Sequence, residues 1–132
     1  METTTVNQFW GMHLLGELYG IPPKKIIDIP RLEALLRKGV ELSGATLCSS
    51  HTKVFSPSGA TIVMILAESH VSVHTYPEYQ ALFFDAFVCG AHCRPLAISE
   101  TLIAELRPLR HNLQQIMRGD MICSPILTPR RI

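Results

Sequence analysis

Leu66-Ala67-Glu68-Ser69-His70-Val71-Ser72-Val73-His74-Thr75-Tyr76-Pro77-Glu78 places a carboxylate, two hydroxyls and two imidazoles in the seven residues from Glu68 to His74. It overlaps the end of the apolar run Ile62 to Ala67, which Pro57-Ser58-Gly59 bounds on its N-terminal side. A short apolar run bounded in this way reads as a buried strand. Buried strands seldom end in a Glu-Ser-His cluster unless something there is solvated, paired or reactive. Past the cluster the pattern alternates. Val71 and Val73 point one way and His70, Ser72 and His74 the other, because strand side chains alternate with period two.

The next strand runs from Leu82 to Cys89, beyond a loop over Tyr76 to Gln80 whose backbone Pro77 helps to fix. If that loop is a hairpin, Thr75 lies opposite Leu82, His74 opposite Phe83 and Glu68 opposite Cys89. Opposed residues share a face, so His70, His74 and Cys89 would line one surface. A slip of one residue would undo this alignment. Upstream, Trp10 to Tyr19 reads as a first strand closed by Gly20-Ile21-Pro22-Pro23. Asp28 before Ile29-Pro30 suits a helix start. Leu32, Leu35, Leu36 and Val40 then form an apolar stripe of helical period, and Gly44 is a fitting stop. Gly39 inside that helix costs about 1 kcal/mol relative to Ala.

Ala45 to Phe55 and Ala60 to Ala67 read as strands joined by a turn at Ser56 to Gly59. His70 to Thr75 is either a strand of its own or a continuation of Ala60 to Ala67 through the cluster. Pro95 opens a second helix that reaches Arg107, with Ile98, Leu102 and Leu106 on one side. Leu113 to Met117 reads as a last strand, and Gly119 onward as a tail. Residues 1–8 read as loosely attached. Strands and helices in this order predict an α+β two-layer sandwich, in one domain over residues 1–132.

A net charge of +1 with 17% charged residues is no footprint for nucleic acid, and the basic pair Arg130-Arg131 stands alone. No apolar run approaches the ~20 residues of a membrane helix. The start is Thr-rich and polar, unlike a signal peptide, so a cytoplasmic location is expected. Cys48, Cys89, Cys93 and Cys123 are then expected as free thiols. Cys89, His92 and Cys93 lack a second well-spaced pair, so no metal site is expected there.

Glu68-Ser69-His70, His74-Thr75-Tyr76-Pro77-Glu78 and Cys89-Gly90, with the flanks Phe55-Ser56-Pro57-Ser58-Gly59 and Gly11-Met12-His13-Leu14-Leu15, agree in order and spacing with a known family. The chain resembles the small prokaryotic S-adenosylmethionine decarboxylases, which make their own pyruvoyl cofactor. The resemblance spans about residues 8–119. It implies an antiparallel sheet with helices on one face, and a homo-oligomer whose site lies at the protomer boundary. It also implies self-cleavage into a β chain of residues 1–68 and an α chain of residues 69–132.

Amino-acid decarboxylation leaves a carbanion at Cα and needs an electron sink, from pyridoxal phosphate or a pyruvoyl ketone. No lysine lies in the quoted stretch to hold pyridoxal phosphate, whereas Ser69 can be converted to a pyruvoyl group. In the maturation this implies, Ser69 Oγ would attack the Glu68 carbonyl in an N-to-O acyl shift. The ester would then lose the Ser69 α-proton and expel the Glu68 carboxylate by β-elimination, and the dehydroalanine would hydrolyse to pyruvoyl and ammonia. The resemblance implies that His74 is the processing base, that Thr61 supplies a processing hydroxyl and that Cys89 is the proton donor in turnover. It implies that Glu78 accepts the ribose hydroxyls and that Phe55 stacks on the substrate. By itself Thr61 reads equally as an ordinary strand threonine, and Cys89 and Phe55 as buried residues. His70 reads either as a pocket residue or as support for the turn.

Three positions depart from the family pattern: Tyr76 where many relatives carry Trp, Val88 where Thr is common, and Thr61 in place of Ser. None removes a reactive group. They leave open ornithine or arginine as the substrate, since this scaffold has such relatives, and also an unprocessed relative with a regulatory role.

Overall fold

The computed structural model describes residues 9–90 and 92–120. Cys123, the Arg130-Arg131 pair and the first eight residues lie outside them. The elements are β1 (Phe9–Tyr19), α1 (Pro23–Ile26), α2 (Ile29–Ser43), β2 (Leu47–Val54), β3 (Ala60–Leu66), β4 (Ser69–Tyr76), β5 (Ala81–Cys89), α3 (Leu96–Leu106) and β6 (Arg110–Asp120). A 3-10 turn, Pro77–Tyr79, joins β4 to β5. The strands form one six-stranded sheet in the order β2-β3-β4-β5-β1-β6, each neighbouring pair antiparallel.

Each long helix begins and ends where local chemistry directs. The Asp28 carboxylate accepts the Arg31 backbone N–H at 3.2 Å, Pro30 occupies the first turn and Gly44 closes α2. Gly39 has a packing reason. A Cβ there would come within 3.2 Å of the Ile98 Cα, so the glycine lets α2 approach α3 closely. Both helices cover one face of the sheet. Leu14, Leu18, Ile62, Met64, Val71, Val73, Leu82 and Ala86 from the strands are fully buried with Leu36, Ile98 and Leu102 from the helices. Burying each large side chain contributes about 1.5–3 kcal/mol, which makes this face the seat of stability.

Among the described residues no helix covers the opposite face. Ile65, Phe83 and Ile116 remain 38–48% exposed there. The same face bears His13, His70, Ser72, His74, Asp85, Phe87 and Cys89, as the alternation and register require.

The expected hairpin register is present: His74 pairs with Phe83 and Thr75 with Leu82. The ladder ends at His70 and Phe87, short of Glu68 and Cys89. One open alternative is resolved and two expectations change. β3 and β4 are separate strands, because the chain reverses at Ala67-Glu68 and Leu66 pairs with Ser69. β6 runs from Arg110 to Asp120, well beyond Leu113 to Met117, since its whole length pairs with β1. The closing Pro22-Pro23 also starts the short α1, which proline at a first helical position favours. No described helix is long and apolar enough to cross a membrane.

Candidate active site

Ser69 is the first residue of β4, directly after a two-residue reversal. Its hydroxyl donates to the Ala67 carbonyl oxygen at 3.2 Å. Glu68, just before it, has φ +61. Tight hairpin loops normally place Gly, Asn or Asp in that left-handed conformation, and a longer side chain costs about 1–2 kcal/mol. The peptide bond between Glu68 and Ser69 therefore follows a strained residue.

Glu68 lines a cavity of about 610 Å³ with Phe9, Trp10, Gly11, Phe87, Cys89 and Arg118. That volume is in the range of small-molecule sites. Among the described residues lining it there is one acid, one thiol and one guanidinium, and no lysine. A serine next in sequence to the lining residue Glu68 suits a cofactor made from the chain better than one held by a lysine. Burial pushes the Cys89 thiol above its ordinary value. Glu68 and Cys93 act in the same direction, and the charge of Arg118 opposes them. The thiol is thus held protonated at neutral pH. Cys48, Cys89 and Cys93 are all unbridged.

Beside the cavity lies a polar network on the open face. His13 Nε2 is 2.8 Å and His70 Nε2 2.9 Å from the same Asp85 oxygen, and the Ser72 hydroxyl donates to the other oxygen. Burial alone would push the Asp85 carboxyl up, but the bonds from Ser72, His13 and His70 outweigh it and hold the group below its ordinary value. The donor atoms of His13, His70 and Asp85 lie within 4.8 Å of one another, a spacing that could suit a metal ion. The Arg118 guanidinium, however, sits 3.2 Å from His13 Nδ1. Arginine only donates, so Nδ1 accepts and the His13 proton belongs on Nε2, facing Asp85. A metal on Nε2 would put the proton on Nδ1, against Arg118.

The remaining sequence-predicted residues gather at the other end of β4. Thr61 Oγ1 is 3.0 Å from His74 Nδ1, the two being cross-strand partners. Glu78 accepts a hydrogen bond from Ser58 at 3.1 Å. Phe55, 48% exposed, flanks the same turn, where its backbone N–H donates to the Gly59 carbonyl at 2.8 Å. From residue 69 to residue 74 the strand is extended, so His74 lies roughly 17 Å along it from Ser69. Two groups therefore form: Glu68, Ser69, His70 and Cys89 at one end, and Phe55, Thr61, His74 and Glu78 at the other.

Asp85, His13 and Arg118 were not among the predicted site residues. Asp85 left a trace in the sequence: it is the lone acid in the apolar strand Leu82 to Cys89, on the face shared with His70. His13 stood in the matching flank Gly11 to Leu15. Arg118 left no local signal.

Comparison with known proteins gives a consistent result. Residues 12–119 match the family model described as S-adenosylmethionine decarboxylase. A relative from Aquifex aeolicus, named S-adenosylmethionine decarboxylase proenzyme, is 38% identical over 83% of this chain and 81% of its own length. A protein of the same name from Methanococcus maripaludis is 38% identical over 83% of this chain and 89% of that one. An arginine decarboxylase proenzyme from Aeropyrum pernix is 32% identical over 92% of this chain and 93% of its own. The crystal structure of the Aquifex aeolicus adenosylmethionine decarboxylase superposes with a TM-score of 0.79 at 31% identity, covering 94% of this chain and all of that one. A cavity lined by Glu68 and Cys89, on a fold and sequence shared with these proteins, leaves one conclusion: this chain belongs to the S-adenosylmethionine decarboxylase family.

Proposed function

We propose that this chain cleaves itself between Glu68 and Ser69, converts Ser69 to a pyruvoyl group and then decarboxylates S-adenosylmethionine. The observation that carries the reading is Ser69 directly after a left-handed Glu68, which lines the same cavity as Cys89. Cleavage there releases the conformational strain at Glu68 and leaves the new α-chain terminus beside the thiol. The pyruvoyl ketone supplies the electron sink that decarboxylation requires. Cys89, held protonated by burial, donates the proton to Cα after carbon dioxide departs.

Processing needs a base for the Ser69 α-proton and a donor for the oxyanion. The Thr61–His74 pair suits both roles, yet it lies too far along β4 to serve Ser69 of its own chain. A symmetric dimer resolves this. In a two-fold pairing of open sheet faces whose axis runs across the strands, one end of each β4 meets the opposite end of the other. Thr61 and His74 of one copy then serve Ser69 of its partner, with Phe55 and Glu78 taking the nucleoside end. The exposed Ile65, Phe83 and Ile116 give that face the apolar character of an interface. The product would pass aminopropyl groups to spermidine synthesis.

The Aeropyrum pernix relative, named for arginine, gives a second reading some support. Turnover measured on purified protein with S-adenosylmethionine, ornithine and arginine separates the two. Carbon dioxide release from S-adenosylmethionine is expected; release from ornithine or arginine alone defeats the assignment.

A further inference from the structure

Cys89, Gly11 and Arg118 stand in one row across three strands. Gly11 of β1 pairs with Cys89 of β5 on one side and with Arg118 of β6 on the other. Opposed residues share a face, so the thiol and the guanidinium rise from the same surface, their Cα atoms about 10 Å apart. The glycine between them is required. A Cβ at Gly11 would stand 2.9 Å from the Cys89 sulfur and 2.7 Å from the Phe87 ring. The missing side chain opens a gap bounded by a thiol at one wall and a cation at the other.

Arg118 is held in place from two directions. Its guanidinium carbon sits 4.8 Å from the centre of the Phe87 ring, and one nitrogen donates to His13 Nδ1 at 3.2 Å. His13 is fixed in turn by Asp85. These contacts use one of the five N–H donors. Among the residues whose side chains are described, 9–90 and 92–119, no carboxylate forms an ion pair with Arg118, although Glu68 lines the same cavity. A fixed cation with unused planar donors, across a gap from the proton donor, is suited to a carboxylate.

We propose that Arg118 binds the α-carboxylate of the amino-acid substrate, and that His13 and Asp85 hold the guanidinium in position for it. This rests on the decarboxylase function proposed above but not on which amino acid is consumed, since S-adenosylmethionine, ornithine and arginine all carry that group. The pairing sets the carboxylate on the side of Cα away from Cys89. The charge of the carboxylate is lost as carbon dioxide leaves, so Arg118 favours the bound substrate more than the transition state and acts mainly on KM.

Two ligands that the processed enzyme does not consume isolate the contact. The desamino analogue of S-adenosylmethionine keeps the carboxylate but lacks the amine that must condense. Decarboxylated S-adenosylmethionine keeps the amine but lacks the carboxylate. Calorimetric Kd values on wild type and Arg118→Ala are expected to rise about tenfold or more for the first ligand and less than about twofold for the second. Arg118→Lys should recover part of the loss for the first.

Splitting is read first by intact mass; if Arg118→Ala does not split, Arg118→Lys carries the test, with a smaller loss confined to the carboxylate ligand. Equal weakening of both ligands, as when Arg118 only holds the β-chain terminus or the fold, overturns the proposal. So does no change in either. Should wild type consume only ornithine or arginine, the substrate assignment fails by itself, and the corresponding pair of analogues tests Arg118.

Discussion

The two ends of β4 differ in what they hold. At its start a strained Glu68 precedes Ser69, beside a cavity with a thiol, a guanidinium and the Asp85 network. Toward its far end Thr61 and His74 are bonded to each other, near Glu78 and Phe55, with no reactive bond between them. One end has the bond proposed to be cleaved, and the other has the groups suited to assist its cleavage. A strand is a rigid ruler of about 3.3 Å per residue, so no side-chain motion closes that gap. The lesson is that one folded chain holds two separated groups of candidate residues, which the proposed dimer would bring together.

The largest effect tests the reactive end. Ser69→Ala should abolish both splitting and turnover, as read by gel and by carbon dioxide release. A variant that still turned over substrate would place the electron sink elsewhere.

The far end comes next. His74→Ala should slow splitting by roughly 10²–10⁴-fold, the usual contribution of a general base, despite its distance from Ser69. Co-expression sharpens the point. With Ser69→Ala as partner, the His74→Ala chain keeps its own serine and borrows the partner's imidazole, so it should split. If it stays whole in the mixed dimer, the two halves do not cooperate across copies.

Cys89→Ala should separate maturation from turnover at the reactive end. Splitting should proceed, while turnover falls about 100-fold or more. Wild-type turnover in that variant would remove the thiol from its role.

The smallest effect concerns the Asp85 network. Its folded pKa is depressed, so its stabilising contribution is complete above the ordinary carboxylate value. It is lost as pH falls from there through the lower folded value. Asp85→Asn should cost about 1–2 kcal/mol at neutral pH and remove that acid-side loss, as followed by denaturant melts at stepped pH. An unchanged pH dependence in the variant would show that the carboxylate is not held by His13, His70 and Ser72.

Much of this was legible in the sequence where local rules govern. The alternation of His70 to His74 and the spacing across Pro77 set the register of β4 on β5, and the Asp28, Gly44 and Pro95 signals set the helices. Ser69 and His74 stood out as chemical groups in one short stretch, and Cys89 at the end of the strand that follows. What was not legible depends on contacts between distant segments. The turn at Ala67-Glu68 lacks the Gly or Asn that marks a hairpin, so the reversal was hidden. Gly39 looked like a cost until α3 came to rest on it. Arg118 becomes notable only when β6 pairs with β1 and brings it to Gly11. The separation of Ser69 from His74 was implicit in the strand assignment itself, since five residues of extended chain cannot fold back.

Intact mass spectrometry of the purified protein bears most directly on the central claim, that the chain breaks itself before Ser69. Two fragments are expected, residues 1–68 and 69–132, the second lighter than its sequence mass by the change from serine to a pyruvoyl terminus and refusing Edman degradation. A single unbroken chain that consumes substrate, or a second fragment with an ordinary serine at its start, would contradict it.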